Sequence, residues 1–424
     1  MVWRSLGSPS FRSAVDAVLI DTSAPVLVIC RGDGDIGIAR TLGRLGVKVH
    51  LIAGKGMAAP VWSSRYWASR KRLDFSCSEE ESVALLLDFG AALQTAHGVR
   101  PILLTTSDWV AIFIERNSRP LQEQFVFPQP VRPVIRALAN KWETHLLAKE
   151  HDIPTPVTVC PATRADVEAF LENNTLPYVV KPADPFLGDP SAKQIVYSRQ
   201  ELMDRVDRDE ACGPLNIVVQ EFIPGDADSV WMCNGYFGSQ PDRAVIFTGK
   251  KLRQVSPTGV ASLAICLSNE TVATQTRRLM EGVGYRGCVG IGFRYDTRDG
   301  FYKLLDVNAR VSGIFRLFAG TNEMDVVRAC YLDLTGQDAP GTALRPGRKW
   351  MREDDVVVVL PAMGSRRVSI RDWVRSVRGV QEMHWFSADD PVPLLVWLRE
   401  KIRRRLPKIR RRWPASFGRV AKAG

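Results

Sequence analysis

In the segment Leu304-Leu305-Asp306-Val307-Asn308-Ala309-Arg310, a carboxylate, an amide and a guanidinium recur at every second position. Alternate side chains of an extended chain share a face, so Asp306 and Asn308 stand together, with Leu305 and Val307 opposite. A carboxylate and an amide oxygen so placed suit Mg2+, which takes oxygen ligands and shares its shell with phosphate. Arg310, continuing past them, would offset the charge of a transferred phosphoryl group or an acyl phosphate. Taken alone, the same pattern describes a strand end with a surface arginine.

Other cations extend the theme. Lys141 opens a helical segment, and Lys181 ends the apolar run Tyr178-Val179-Val180. A lysine turned inward there needs an anionic partner. Lys250, Lys251 and Arg253 lie on a basic strand leading to the turn Ser256–Gly259, either a receptor for a substrate carboxylate or a solvated face. Ser64 and Arg65 are a second candidate for binding an acceptor or carboxylate.

Gly32-Asp33-Gly34-Asp35-Ile36-Gly37 satisfies G-x-G-x-x-G after the apolar strand Val26–Cys30. A dinucleotide site also needs an acid at the end of the second strand to hold the ribose. That strand ends Leu51-Ile52-Ala53-Gly54-Lys55, without one, and two aspartates in the turn would repel a pyrophosphate. An NAD(P)-dependent oxidoreductase is therefore a remote alternative. The turn reads as a backbone device leading into the helix Ile38–Leu45, with Asp35 as N-cap.

The elements that must position these residues fall into two textures. From 24 to 125 strands alternate with helices, including one over 81–97, which implies a parallel sheet. A Pro-punctuated stretch around 119–136 follows, then a helix in Ala137–Glu150 with Leu138, Trp142, Leu146 and Leu147 at helical spacing. From 176 to 308 the pattern is of strands and hairpins, the last two joined by Thr297-Arg298-Asp299-Gly300.

Five segments in order now carry a resemblance: Asn140-Lys141-Trp142, Val179-Val180-Lys181-Pro182-Ala183, Val218–Trp231, Phe247–Ser262 and Gly292–Gly313. They resemble the ATP-grasp superfamily of carboxylate–amine ligases, over roughly residues 24–335. The resemblance implies a fold of α/β and α+β parts. A Rossmann-like pre-ATP-grasp domain (24–125) precedes a two-lobed ATP-grasp domain with antiparallel sheets (130–340, lobes about 130–215 and 216–340). Residues 1–23 form an extension, 341–390 a C-terminal segment and 391–424 a basic helical tail. The implied cofactors are ATP and Mg2+, and the implied activity joins a small-molecule carboxylate to an amine. Matched to the family, Lys141 and Lys181 would contact phosphates, and Gln220, Glu221, Phe222 and Ile223 would form the adenine hinge. Asp228, ahead of Asp226, would hold the ribose, Asp306 and Asn308 the metal, and Arg310 would be catalytic. Two departures stand out: Gly292 occupies the position of a second metal-binding acid, and Ala309 replaces a common proline. They keep open a catalytically weakened ATP-binding protein of the same fold.

The 424 residues are 45% hydrophobic and 24% charged, ordinary for a globular chain. The apolar runs Val356–Leu360 and Val392–Leu398 are far short of a membrane span. Eight scattered cysteines and five dispersed histidines show no metal-ligand spacing and suit a reducing cytoplasm. Of the net charge of +11, +10 resides in residues 399–424, which hold eleven Lys/Arg against one acid. Leu394, Leu398, Ile402 and Leu406 recur four apart beside Trp397, with Pro407 ending the helix. A basic amphipathic helix fits an anionic membrane surface, hence a peripheral placement on its inner face. Nucleic acid and a solubilising tail are the alternatives, and nothing there reads DNA sequence.

Overall fold

A computed structural model describes residues 20–410, apart from 32–35, 55, 74–76, 188–192, 241–242, 257–258 and 365–368. Asp35 and Lys55 therefore lie outside the described residues, as does the chain beyond Arg410.

The first sheet contains β1 (Val26–Cys30), β2 (Val49–Gly54), β3 (Trp67–Leu73) and β4 (Ile102–Thr105). All are parallel, in the order β3-β2-β1-β4. β1 is buried on both faces. Val26, Val28 and Cys30 join one apolar cluster and Leu27 and Ile29 another, which is why the strand reads as an unbroken apolar run. The helix Glu79–His97 crosses between strands, fixed by a Ser78/Glu81 capping box and ended by Gly98 at φ 76°. β3 escaped the sequence reading because its middle is mostly polar and exposed (Ser69–Arg72). The helix after the glycine turn runs Gly37–Gly43 with Ile36 as N-cap and no side-chain cap.

The second sheet, β5 (Thr158–Val159), β6 (Tyr178–Pro182), β7 (Gln194–Val196) and β8 (Ile217–Glu221), is antiparallel in the order β5-β8-β6-β7. Helices Arg164–Asn173 and Arg199–Glu210 cover it, with Val167, Phe170, Leu202 and Val206 in its core.

The third and largest sheet holds β9 (Val230–Phe237), β10 (Val245–Gln254), β11 (Ala261–Cys266), β12 (Gly287–Asp296), β13 (Phe301–Asn308), β14 (Lys349–Met351) and β15 (Val380–Met383). Its order is β13-β12-β9-β10-β11-β14-β15, antiparallel except for β14 against β15. β12 and β13 are joined by residues 297–300, with Gly300 at φ 77°, the hairpin expected from the sequence.

Two helices differ from expectation. The segment 135–150 is two helices, Ile135–Ala139 and Lys141–Glu150, because Asn140 leaves helical backbone to cap the second. The break shifts the phase, and Leu146 is exposed. The C-terminal helix Val392–Arg410 runs through Pro407, whose ring-fixed φ is itself helical. It is not a free tail: it packs on the turn Ala59–Ser63, and Leu394 and Trp397 rest on the first domain's core. Leu398 and Ile402 face outward, so the four-residue stripe does not lie on one buried face.

Candidate active site

A single cleft of about 1700 Å³ opens between the three sheets. Asp306, Asn308 and Arg310 enter it from the end of β13, Lys181 from β6, Lys141 from a helix start, and Gln220 to Ile223 from the end of β8. The structure thus brings together residues that the sequence separates by up to 169 positions.

The β12–β13 pairing carries a bulge beside Gly292. Leu305 falls in it, so Leu304 and Val307, rather than Leu305 and Val307, enter the core. The bulge frees the Leu305 carbonyl, which accepts from Lys181 Nζ at 3.2 Å, as does Gln220 Oε1 at 3.2 Å. Gln220 is fixed in turn by donating to Thr158 Oγ1 at 3.0 Å. Burial, with Lys141 and Lys193 nearby, pushes the Lys181 ammonium down to about 7. Its partners are neutral carbonyls, leaving it suited to an anion from outside the chain.

Lys141 is set by the Asn140 cap, whose Oδ1 accepts from Trp142 N and Glu143 N at 2.9 and 3.0 Å. Its ammonium pairs with the Asp306 carboxylate. Burial opposes the charge on Asp306, but Lys141 and Lys181 outweigh it and hold the carboxyl at about 2. Asn308 Nδ2 donates to Asp306 Oδ2 and to the Gly290 carbonyl, both at 3.3 Å. Arg310 donates to Asn308 Oδ1 at 2.9 Å and pairs with Asp108 of the first domain at 3.3 Å. Its guanidinium is therefore held across the domain boundary.

At the end of β8, Glu221 is gripped by Arg298 at 2.5 Å. Arg294 lies 5.3 Å over the Phe222 ring and donates to the Gly225 carbonyl.

Several candidates lie elsewhere. Asp228 is exposed in the turn Ala227–Ser229, 3.7 Å from Lys250, and neither lines the cleft. Arg253 is consumed by Asp355, with Ser376 at 2.8 Å. Ser64 Oγ and Arg65 N donate to Asp390 at 2.7 and 3.0 Å, a structural joint in place of a substrate contact. Lys251, beside Lys250, lines the cleft instead and donates to the Gly259 carbonyl at 2.8 Å. Burial and Lys193 push it down to about 8. Lys193, Arg294 and Asp108 were not singled out from the sequence. The basic strand containing Lys251 was a usable signal, but neighbouring lysines on a strand face opposite ways. Trp397, Glu400 and Lys401 of the C-terminal helix also line the cleft.

For a metal, Asp306 and Asn308 offer two oxygen donors beside the Lys181 ammonium, an arrangement that fits one Mg2+ shared with a phosphate. Among the described residues, no three His, Cys, Asp or Glu side chains group to hold a metal by themselves.

Residues 138–314 match the family described as ATP-grasp domain. Over 243 residues the chain is 26% identical to the D-aspartate ligase of Enterococcus faecium (strain Aus0004), covering 54% of this chain and 57% of that protein. The chain thus spans a little over half the length of that curated relative. Among solved structures, L-amino acid ligase from Bacillus licheniformis is similar with a TM-score of 0.55 and 18% identity, over 77% of this chain and 79% of that one. N5-carboxyaminoimidazole synthetase from Staphylococcus aureus, complexed with ADP, gives 0.57 and 13%, over 77% and 81%. The fold is theirs, and residues 138–314 of this chain match an ATP-grasp domain that stands behind a parallel-sheet domain.

Proposed function

We propose that the chain is an ATP-dependent carboxylate–amine ligase that forms an amide through an acyl phosphate. The observation that carries this reading is the convergence of Asp306, Lys141, Lys181 and Arg310 in one cleft bordered by a strand-end hinge. Its volume of about 1700 Å³ exceeds the roughly 300–1,000 Å³ of an ordinary small-molecule pocket, leaving room for acceptors beside a nucleotide. The relatives point the same way, being named as ligases of amino acids.

The hinge main chain from Gln220 to Ile223 faces adenine, with Phe222 and Ile223 as apolar walls. Lys141 and Lys181 hold the phosphates. A substrate carboxylate oxygen attacks the terminal phosphorus and ADP leaves. The amine nitrogen then attacks the acyl carbon, phosphate leaves, and the amine gives up a proton. Arg310, braced by Asn308 and Asp108, offsets the charge on the phosphoryl group as it passes between oxygens. Asp306 and Asn308 would hold Mg2+, which supplies charge neutralisation at the phosphates when bound.

The test is ADP release with Mg2+ across a panel of amino acids and small carboxylates, alongside binding of ATP and NADPH. ADP release with one pair supports the ligase. ATP binding without release across the panel favours the weakened ATP-binding protein, and NADPH binding without ATP binding ends both readings.

The second part of the proposal concerns the C-terminal helix. Leu395, Leu398 and Ile402, at helical spacing, are exposed amid arginines and lysines. That face suits an anionic bilayer surface, which supports a peripheral position at the cytoplasmic side as part of the proposal. No helix of the described residues is long and apolar enough to cross a membrane.

A further inference from the structure

Gly292 on β12 lies directly opposite Asp306 on β13, and Gly290 opposite Asn308. The two glycines differ in their surroundings. A Cβ at Gly290 would come within 2.9 Å of Ser312 Cβ, whereas one at Gly292 would meet no heavy atom within 4 Å. Position 292 therefore has space for a side chain on the cleft wall and supplies none. A carboxylate there would stand across from Asp306 and close an oxygen cage around two cations. The chain instead lines the same cleft with Lys251 and Arg294 on the third sheet and Lys193 beside β7 of the second. Lys193 and Lys251 both lie within electrostatic reach of Asp306. With Lys141 and Lys181, four lysines lie around the Asp306 carboxylate, which is itself already paired with Lys141. An anionic polyphosphate entering this wall meets fixed positive charge before any metal ion is counted.

Resting on the nucleotide reading above, we propose that Lys251 and Lys193 take over the charge neutralisation that a second carboxylate-held cation would supply at position 292, so that this chain binds a nucleoside triphosphate with little dependence on Mg2+. Lys251 is the better placed of the two, because it stands on β10 and its ammonium is steadied by the Gly259 carbonyl. The vacant wall at Gly292 is then the complement of the basic strand.

Calorimetric titration of ATP into the full chain, once with excess Mg2+ and once with EDTA, tests this. The expected affinities agree within about tenfold. Lys251→Met should weaken binding in EDTA by about tenfold or more, and binding in Mg2+ by less, with Lys251→Arg restoring the wild-type pattern. Gly292→Glu, which the open wall accommodates, should weaken binding in EDTA while sparing it in Mg2+. Binding by the wild type that collapses by about a hundredfold or more in EDTA overturns the inference and leaves the nucleotide reading standing. ATP binding in neither condition overturns both. Equal losses in both conditions for Lys251→Met overturn the role of Lys251.

Discussion

Arg40 and Asp390, 350 residues apart in the chain, form a buried ion pair at 3.0 Å with both side chains almost fully enclosed. The guanidinium also donates to the Trp385 and Asp390 carbonyls at 2.6 and 3.1 Å, and Asp390 receives Ser64 and the Arg65 main chain. The joint ties the start of the C-terminal helix to the first domain, and that helix reaches the cleft two turns later at Trp397. Asp390→Ala leaves Arg40 buried without its counter-charge, a loss of about 3–5 kcal/mol. Chemical denaturation should show that loss. The double variant Arg40→Met/Asp390→Leu, with neither charge left unpaired, should recover most of it.

The polar contacts of Arg310 are to Asn308, Asp108 and the Val311 carbonyl, on the cleft lining and outside the core, so its removal should spare the fold. Arg310→Ala is expected to lower kcat by about a hundredfold to a thousandfold, as for loss of a charge-stabilising donor. The KM for ATP should change little. Asp108→Asn, which loosens the brace and keeps the guanidinium, should fall between wild type and Arg310→Ala. Steady-state kinetics on the substrate pair found by the ADP-release panel make the measurement.

The strands and helices of the first domain were legible because strands buried on both faces are spelled as continuous apolar runs. The five ordered segments were legible because each keeps its chemistry next to a strand or helix end. β3 was not, since a half-exposed edge strand with Ser69, Arg70, Lys71 and Arg72 has no apolar signature. Lys251 was not separable from Lys250, because alternation puts one on each face and only the pairing of β10 with β9 and β11 sets which of them meets the cleft. Ser64, Arg65 and Arg253 looked free in sequence because their partners, Asp390 and Asp355, are distant along the chain. Pairing across such distances leaves no local trace.

Lys181 links the site to pH. Its ammonium is held down to about 7 in the folded chain, against an ordinary lysine value of 10.5. Between those values the unfolded chain binds the extra proton, so this group makes stability rise with pH from about 7 towards 10.5. Below about 7 it contributes its full penalty. Lys181→Met should remove that slope from denaturation curves measured across the window. ATP supplies the missing anion and raises the ammonium again, so binding at pH 8 should take up a proton. Calorimetry in buffers of different ionisation enthalpy would detect the uptake, and its absence in Lys181→Met would assign it.

The C-terminal helix faces two ways. Trp397 and Lys401 turn to the cleft, with the Lys401 ammonium 5.3 Å over the indole, while Leu395, Leu398 and Ile402 turn to solvent. If the outer face meets lipid, flotation with vesicles should require an anionic component and weaken with salt, since screening shortens the reach of the basic residues. The triple variant Leu395→Glu/Leu398→Glu/Ile402→Glu should stay behind in the dense fraction and still bind ATP, because none of the three lines the cleft. Equal flotation by wild type and variant, or equal flotation with neutral and anionic vesicles, would rule the membrane role out.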